Sequence, residues 1–332
     1  MKKLIICISG GIISALSLIQ AYNFLLHPEL KYYKRALSIS SQYETQLRQE
    51  LQRPCYIIAG GSETRSGIRP SLMLEEYGTP AINVATAAPY GLHVNLAIAL
   101  NHIHPSDTLV LSLLSADGRN INATEGGIKF AVHQYGINAF MKGGLPFDFR
   151  TVWALVSSDA ASMITSAARK LTRGYAFTYD KHATLHPDGW QEIHRNTMHS
   201  AKLGKTRPSD YLIGPELSAM LKETQQYCQR QNAHFCIMLP VGFLNEYETK
   251  RRIMHALQIT RLGIPVLRDE RLGRVTDNKL FSDMLLHLNK EGSTQNTRII
   301  AGLLKEKRYW QEEELLALMQ SRGYSEDATS QP

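Results

Sequence analysis

The chain has few cysteines, and their arrangement does not predict a disulfide scaffold or a zinc site. Four occur in 332 residues: Cys7, Cys55, Cys228 and Cys236. Cys7 lies in an apolar N-terminal segment, and the three that remain cannot all pair within one chain. Buried free thiols are the favoured reading of Cys228 and Cys236, with a bridge between them as the alternative. No pair of Cys or His residues has convincing zinc-ligand spacing, so no metal site is predicted.

The sequence also lacks internal repeats and a concentrated basic stripe. Its 37 basic residues outnumber the 30 acidic ones, but the excess is spread along the chain and is not interleaved with aromatic residues. This pattern does not indicate a nucleic acid partner. With 43% apolar and 20% charged residues, the composition is typical of a folded globular protein. Only the polar tail at 325–332 is predicted to be disordered.

Formal charge is absent from residues 4–26, which directly follow Lys2 and Lys3. The stretch is long enough to cross a bilayer, which takes about 20 apolar residues. Lysines ahead of it predict that the N-terminus stays in the cytoplasm and that the rest is exported. We therefore predict a signal anchor over 1–27 and a single-pass protein of the inner (cytoplasmic) membrane, with its main domain on the periplasmic side. A cleaved signal peptide and a buried helix are the alternatives.

The rest of the chain alternates between short apolar runs and longer helical patterns. Residues 28–54 are predicted as a connecting helix, and 55–324 as one α/β domain. Strands are predicted over 55–59, 81–85, 108–114, 234–239 and 264–267, and further helices over 70–77, 92–103, 215–232, 246–262 and 288–304. Such alternation predicts a mainly parallel sheet covered on both faces. The interval at about 117–208 interrupts it and is predicted as an inserted cap region, with a structural subdomain as the alternative.

Three polar residues can form a Ser-His-Asp triad. Ser62 follows the apolar run at 56–59, outside the carboxyl end of a predicted strand, where open α/β sheets bind their ligands. A nucleophilic serine needs a base and a third group that orients the base. Asp283 and His287, on a loop before the last predicted helix, can place a carboxylate on one imidazole nitrogen and the serine on the other. The alternative is an ordinary exposed pair on one face of a helix.

Three blocks of the sequence resemble the SGNH (GDSL-like) hydrolase superfamily. They are Tyr-Ile-Ile-Ala-Gly-Gly-Ser at 56–62, Gly-Thr-Pro-Ala-Ile-Asn at 78–83, and 281–292 with Thr297 and Arg298. The likeness covers roughly residues 56–304 and is greatest with a membrane-anchored bacterial branch associated with envelope polysaccharides. It implies an SGNH-like three-layer sandwich in which Ser62 is the nucleophile and Asp283 and His287 complete the triad. It implies no cofactor.

The chain departs from this family at the expected oxyanion hole. Gly61 stands where the family usually has Asp. The glycine whose N–H helps to bind the oxyanion corresponds to Ala88, and residues 113–117 contain no Asn for a side-chain donor. The predicted oxyanion donors are therefore Ser62, Ala88 and, as a substitute for the Asn, Ser115. Loss of one such donor typically costs about 3 kcal/mol of transition-state stabilisation.

Four further residues are predicted to contact substrate. Glu63 and Arg65 flank the nucleophile, and the aromatic faces of Tyr90 and Trp190 suit the apolar surface of a sugar ring. The alternatives are solvent exposure for the two charged side chains and packing for the two aromatic ones.

The resemblance implies a serine ester hydrolase or O-acyltransferase that acts on acyl esters of an envelope or exported glycan. The expected partners are a glycan or other acylated substrate and a membrane-bound protein that donates the acyl group. One alternative is a catalytically degenerate protein that binds glycan or acts as a scaffold in an export complex. A lipid esterase is another.

Overall fold

The computed structural model describes residues 28–113, 181–194, 212–243 and 246–324, together with positions 11, 14, 17, 127, 128, 130, 131 and 134. Most of the predicted anchor at 1–27, most of the predicted insertion at 117–208 and the whole tail at 325–332 lie outside this set. Among the described residues, no helix combines the length and the apolar character that a bilayer span requires.

The centre of the fold is a parallel sheet. The strands are β1 (Tyr56–Ala59), β2 (Ala81–Asn83), β3 (Thr108–Ser112), β4 (Ala183–Leu185), β5 (Gln191–Ile193) and β6 (His234–Met238). Strands β2, β1, β3 and β6 lie side by side in that order, and all three pairings are parallel. Strands β4 and β5 form a separate antiparallel hairpin. The predicted α/β class with a mainly parallel sheet is confirmed.

Helices precede, connect and follow the strands. They are α1 (Pro28–Leu51), α2 (Ser62–Gly67), α3 (Pro70–Tyr77), α4 (Leu92–Leu100), α5 (Pro215–Arg230), α6 (Glu246–Arg261), α7 (Lys290–Glu306) and α8 (Glu312–Ser321), with 3₁₀ turns at Ala88–Tyr90 and Asn278–Leu280. Local sequence sets several ends. Pro70 begins α3, where a missing N–H costs no helical hydrogen bond, and left-handed Gly78 ends it. Asn289 caps α7 by accepting the Gly292 N–H at 3.0 Å.

Both faces of the sheet are buried. Successive side chains of a strand point to opposite faces. Ile57 and Leu109 accordingly pack with helices α1, α4, α5, α6 and α8, whereas Ile58 and Val110 pack with α3 and α7. All four side chains are inaccessible to solvent. Double-sided burial explains why these strands are continuous apolar runs rather than alternating ones.

The predicted strand at 264–267 is wrong as a full strand. Val266 forms the one bridge of this segment to β6, at Ile237 and in the parallel sense, and Leu267 forms an antiparallel bridge to Tyr309. The Ile237 N–H donates to Pro265 O at 2.8 Å, and the Leu267 N–H donates to Ile237 O at 2.8 Å. The ladder does not extend because Pro265 has no N–H to donate. The segment therefore adds one bridge beside β6 and not a full strand.

Two helices were not predicted from the sequence. Helix α2 has only six residues and is too short to show a helical repeat of apolar residues. Helix α8 begins with reciprocal hydrogen bonds between Gln311 and Glu314, but Gln is not among the usual N-cap residues, so the sequence does not mark this start clearly. The helix packs on α6.

The cysteines outside the N-terminal segment are buried free thiols. Cys55, Cys228 and Cys236 are each about 1% exposed, and none is in a disulfide. Burial raises the pKa of Cys55 to about 11 and the pKa of Cys228 and Cys236 to about 12. The thiols therefore stay protonated and unreactive near neutral pH. The alternative bridge between Cys228 and Cys236 is not formed.

Candidate active site

Ser62, His287 and Asp283 meet at the carboxyl edge of the sheet. The His287 Nε2 lies 2.8 Å from Ser62 Oγ, and the His287 Nδ1 lies 2.8 Å from Asp283 Oδ1. Both distances are within hydrogen-bond range. Ser62 is half-buried, and His287 is 1% exposed. The arrangement is a continuous Ser-His-Asp relay between residues 225 positions apart, with the serine next to solvent.

The serine is presented by a tight turn between β1 and α2. The Thr64 and Arg65 N–H groups both donate to Gly61 O at 3.1 Å, which starts the helix at Ser62. Gly60 has a φ of +157°, and a Cβ there would clash with Thr64 and lie 2.9 Å from Ser112 Cβ. Only glycine fits both the conformation and the space. The small residues of the sequence thus let the backbone turn sharply and leave Ser62 at the strand's edge.

The base is held by the loop that precedes α7. The Ser282 N–H donates to His287 O at 2.9 Å, and the His287 N–H donates to Met284 O at 3.1 Å. Phe281 and Leu288 close the loop as an antiparallel bridge. The prediction that Asp283 and His287 lie on a loop before a helix is confirmed. The alternative of an exposed helical pair is excluded because the segment is not helical and His287 is buried.

Two backbone N–H groups beside the serine are free to bind an anion. The residues that follow β2 lie against the nucleophile turn, since the Thr86 N–H donates to Gly60 O at 3.1 Å. A Cβ built on Gly61 would lie 2.9 Å from Ala88 N. Neither Ser62 N–H nor Ala88 N–H donates to another of the described residues. These are two of the three predicted oxyanion donors, and Ser115 lies outside the described residues.

Arg65 is buried and bonds only to backbone among the described residues. Its Nε donates to Ala85 O, and its Nη1 donates to Gly189 O at 2.9 Å. The guanidinium is inaccessible to solvent, its Nη2 has no partner in the described parts of the chain, and burial lowers the pKa of Arg65 to about 10. Arg65 therefore ties the nucleophile helix to the segment that leads to Ala88.

Glu63 is buried on the same short helix. It is 1% exposed, and its Oε1 accepts hydrogen bonds from the Gly61 N–H at 3.1 Å and from Thr64 Oγ1 at 2.9 Å. Burial raises the pKa of Glu63. Both charged neighbours of the nucleophile are thus internal, and the exposed alternative is wrong for each.

Tyr90 and Trp190 are also buried. Tyr90 stacks on Phe130 with ring centroids 4.7 Å apart, and its hydroxyl donates to Glu29 Oε1 at 3.1 Å. Trp190 is 1% exposed, and its Nε1 donates to Ser66 O at 2.9 Å. Both rings are therefore packed in the interior, with Tyr90 2% exposed. As substrate contacts, these two residues and the buried pair Glu63 and Arg65 stay predictions.

The hairpin of β4 and β5 comes from the predicted insertion and packs on helix α2. Its turn carries Asp188, which accepts hydrogen bonds from both Ser71 N–H at 3.0 Å and Ser71 Oγ at 2.7 Å. The Arg69 guanidinium lies 4.5 Å from the centroid of the Trp190 ring. Sequence reasoning missed Asp188. Its position before a turn glycine is a signal for the turn, but only the fold shows what the turn contacts.

Helix α7 also fixes the nucleophile helix. The Asn296 side chain donates to Gly67 O at 3.1 Å, and Thr297 Oγ1 accepts the Arg69 N–H at 3.0 Å. Both residues follow the block that carries Asp283 and His287. One segment of sequence therefore supplies the base and also holds the helix on which the serine lies.

A cavity of about 480 Å³ lies at the opposite, amino-terminal edge of the sheet. It is lined by Tyr56, Thr108, Phe235 and Tyr309 among others, and by none of the triad residues. The cavity has no part in the arrangement around Ser62.

Comparisons of the chain with protein-family models, with curated proteins and with solved structures give no match. Function is therefore inferred from the geometry around Ser62 and from the resemblance at 56–62 and 281–292.

Proposed function

We propose that the protein is a serine ester hydrolase or O-acyltransferase that forms an acyl-enzyme on Ser62. The observation that carries the proposal is the hydrogen-bonded relay from Ser62 through His287 to Asp283, with 2.8 Å at each step. Such a relay activates a serine on unrelated folds, so its geometry supports the chemistry without help from a relative.

In the first half-reaction, His287 Nε2 takes the Ser62 hydroxyl proton while Oγ attacks the carbonyl carbon of an acyl ester. Asp283 accepts the hydrogen bond from Nδ1–H and stabilises the imidazolium. The N–H groups of Ser62 and Ala88 are suited to bind the oxyanion of the tetrahedral intermediate. When the intermediate collapses, His287 returns the proton to the leaving alcohol, and the acyl group stays on Ser62.

In the second half-reaction, an acceptor hydroxyl gives its proton to His287 and attacks the acyl-enzyme. Water as the acceptor gives hydrolysis, and a sugar hydroxyl gives acyl transfer. His287 then restores the Ser62 proton. We include an envelope or exported glycan as the acceptor or substrate because the resemblance at 56–62 and 281–292 is greatest with the polysaccharide-associated branch.

The finer architecture belongs to the same proposal. An SGNH-like three-layer sandwich fits a parallel sheet with α3 and α7 on one face and the other large helices on the opposite one. We propose a cap built from the insertion around the described hairpin. We also propose a single transmembrane anchor within 1–27 and a periplasmic position for the domain, supported by the uncharged run that follows Lys2 and Lys3.

A degenerate glycan-binding or scaffold protein is the second candidate. It is favoured by one observation: residues 113–117 contain no Asn to serve as a side-chain oxyanion donor. That role requires no reactive serine, so one labelling experiment separates the two candidates.

The test is active-site labelling of the full chain in mild detergent with a fluorophosphonate, with the modified residue located by mass spectrometry. We expect labelling at Ser62. Because serine and base act as a unit, Ser62→Ala abolishes labelling and His287→Ala slows it at least about 10³-fold. The matched controls are exposed Ser321→Ala and His234→Ala, which label like the wild type. A folded wild-type protein without label at Ser62 contradicts the proposal and favours the binding role.

A further inference from the structure

The Glu63 side chain folds back over the turn that carries Ser62. Its Oε1 accepts three hydrogen bonds, from Gly61 N–H at 3.1 Å, Thr64 Oγ1 at 2.9 Å and Ser112 Oγ at 3.4 Å. One carboxyl oxygen thereby joins the start of α2 to the end of β3. The peptide N–H that it holds belongs to the residue directly before the nucleophile.

The second carboxyl oxygen fills the space beside Gly61. A Cβ built on Gly61 would clash with Glu63 Oε2 and would lie 2.8 Å from Ala88 Cβ and 2.9 Å from Ala88 N. Glu63 and Ala88 therefore border the same small volume, on the side of Gly61 where any other residue would place its side chain. Oε2 is buried and has no hydrogen-bond partner in the described parts of the chain.

Burial raises the pKa of Glu63, against the hydrogen bonds from Thr64 and Gly61 and the charge of His287, which lower it. No cation lies within salt-bridge distance of the carboxyl among the described residues. The titratable groups that act on it through space are His287, on the α7 side, and the buried Arg252 of α6. Arg252 already donates to Pro240 O and Leu272 O. A neutral carboxyl adds no negative charge beside an oxyanion, whereas an ionised one opposes the charge that develops there.

We propose that Glu63 is a positioning residue of the candidate site. Its carboxyl group fixes the Gly61 peptide and separates the nucleophile turn from Ala88, so that the Ser62 and Ala88 N–H groups converge on one oxyanion. This inference rests on the proposed function. It explains why a glycine precedes Ser62: any side chain at position 61 displaces either the Glu63 carboxyl or Ala88.

The test measures the second-order rate constant for fluorophosphonate labelling of Ser62 in the full chain. Glu63→Ala removes the carboxyl group and is expected to slow labelling about 10- to 100-fold, which is the effect of a misplaced oxyanion donor. Glu63→Gln supplies a neutral side chain of the same shape and recovers the rate to within about fivefold of the wild type. The matched control is the exposed Glu75→Ala, on the neighbouring helix α3.

The pH profile separates positioning from a merely structural role. Burial raises the pKa of Glu63, so the wild type keeps the neutral form above the ordinary glutamate range and loses labelling rate on the alkaline side as the group ionises. Glu63→Gln has no carboxyl group to ionise at this position, so its labelling rate does not decline on the alkaline side. On the acid side, its pH profile matches that of the wild type. A structural role alone gives both proteins the same alkaline limb.

The inference is overturned when folded Glu63→Ala labels as fast as the wild type, or when Glu63→Gln is as slow as Glu63→Ala. If Glu63→Ala does not fold, Glu63→Asp replaces it. The shorter carboxyl cannot reach the Gly61 N–H, so Asp must label more slowly than Gln, and equal rates contradict the inference. An unlabelled wild type contradicts the proposed function itself. A labelled wild type that is insensitive to Glu63 contradicts only the positioning role.

Discussion

Buried charged side chains are paired differently at the two edges of the parallel sheet. At the amino edge, Asp107 is inaccessible to solvent and bonds to Arg48 at 2.6 Å, to Cys55 N–H at 2.8 Å and to His104 N–H at 2.9 Å. At the carboxyl edge, Arg65 and Glu63 are equally buried, yet neither pairs with an opposite charge in the described chain, and each retains an unpartnered polar atom.

The comparison indicates where buried polar atoms of this protein lack hydrogen-bond partners. Buried polar groups are normally satisfied, and exceptions concentrate where function requires a particular arrangement. At the amino edge, charged side chains satisfy one another and join α1 to the sheet. At the carboxyl edge, charged side chains hold the peptide groups beside Ser62. The first edge therefore stabilises the fold, and the second maintains the geometry of a site at some cost in stability.

The largest effect is expected when the arginine at each edge of the sheet is replaced, Arg48 at the amino edge and Arg65 at the carboxyl edge. Arg48→Met leaves the buried Asp107 carboxylate without its cation and lowers the free energy of unfolding by about 3 kcal/mol, while fluorophosphonate labelling of the folded protein is unchanged. Arg65→Met leaves Ala85 O and Gly189 O without donors and lowers the free energy of unfolding by about 2 kcal/mol. It also slows labelling at least about tenfold because the Ala88 segment loses its tie to α2.

The measurements are chemical denaturation and the labelling rate of the folded fraction. A labelling loss in Arg48→Met that matches the loss in Arg65→Met would remove the distinction between the two edges. The variants are matched because each replaces an arginine by the unbranched apolar residue closest to it in length.

The sequence predicted most of the strands and the residues that meet at Ser62, but not the contacts that support them. The strand positions and the loop that carries Asp283 and His287 depend on local patterns, so apolar runs and turn residues are sufficient to predict them. The burial of Glu63 and Arg65 depends on contacts with residues far along the chain, such as Gly189. A charged side chain next to a nucleophile is ordinarily read as exposed, and only the packed hairpin shows otherwise.

A smaller effect is expected from the hairpin turn that packs on α2. Trp190→Phe keeps a large aromatic ring but removes the Nε1–H that donates to Ser66 O at 2.9 Å. Ser66 is inaccessible to solvent, so its carbonyl loses a partner that water cannot replace. We expect the free energy of unfolding to fall by about 1–2 kcal/mol, as measured by denaturant titration.

Trp310, which lies just before α8, provides the control for this prediction. Trp310→Phe removes an Nε1–H that has no acceptor in the described chain, so it is expected to cost less than Trp190→Phe. Equal losses would mean that the effect comes from ring packing and not from the hydrogen bond to the nucleophile helix.

The last contrast is between two buried glutamates, Glu44 at the amino edge and Glu63 at the carboxyl edge. Burial alone would raise the pKa of Glu44, but hydrogen bonds and charge from His102 and Arg48 outweigh it, and the pKa is lowered. Burial raises the pKa of Glu63. The two shifts have opposite consequences for stability, because protons bind preferentially to the unfolded state in one case and to the folded state in the other.

For Glu44, the stabilising contribution is full above the ordinary glutamate pKa of about 4.3 and is lost as the pH falls through the lowered folded value. For Glu63, the contribution is full below about 4.3 and is lost as the pH rises toward the raised folded value. The stability of the wild type relative to Glu44→Gln should therefore rise with pH, and its stability relative to Glu63→Gln should fall. Each slope is at most about 1.4 kcal/mol per pH unit. Denaturation midpoints over about pH 2 to 8, a range that covers both windows, measure both slopes, with exposed Glu75→Gln as the surface control. Slopes of the same sign would mean that the pKa of Glu63 is lowered in the folded protein, which contradicts the alkaline decline expected for its labelling rate.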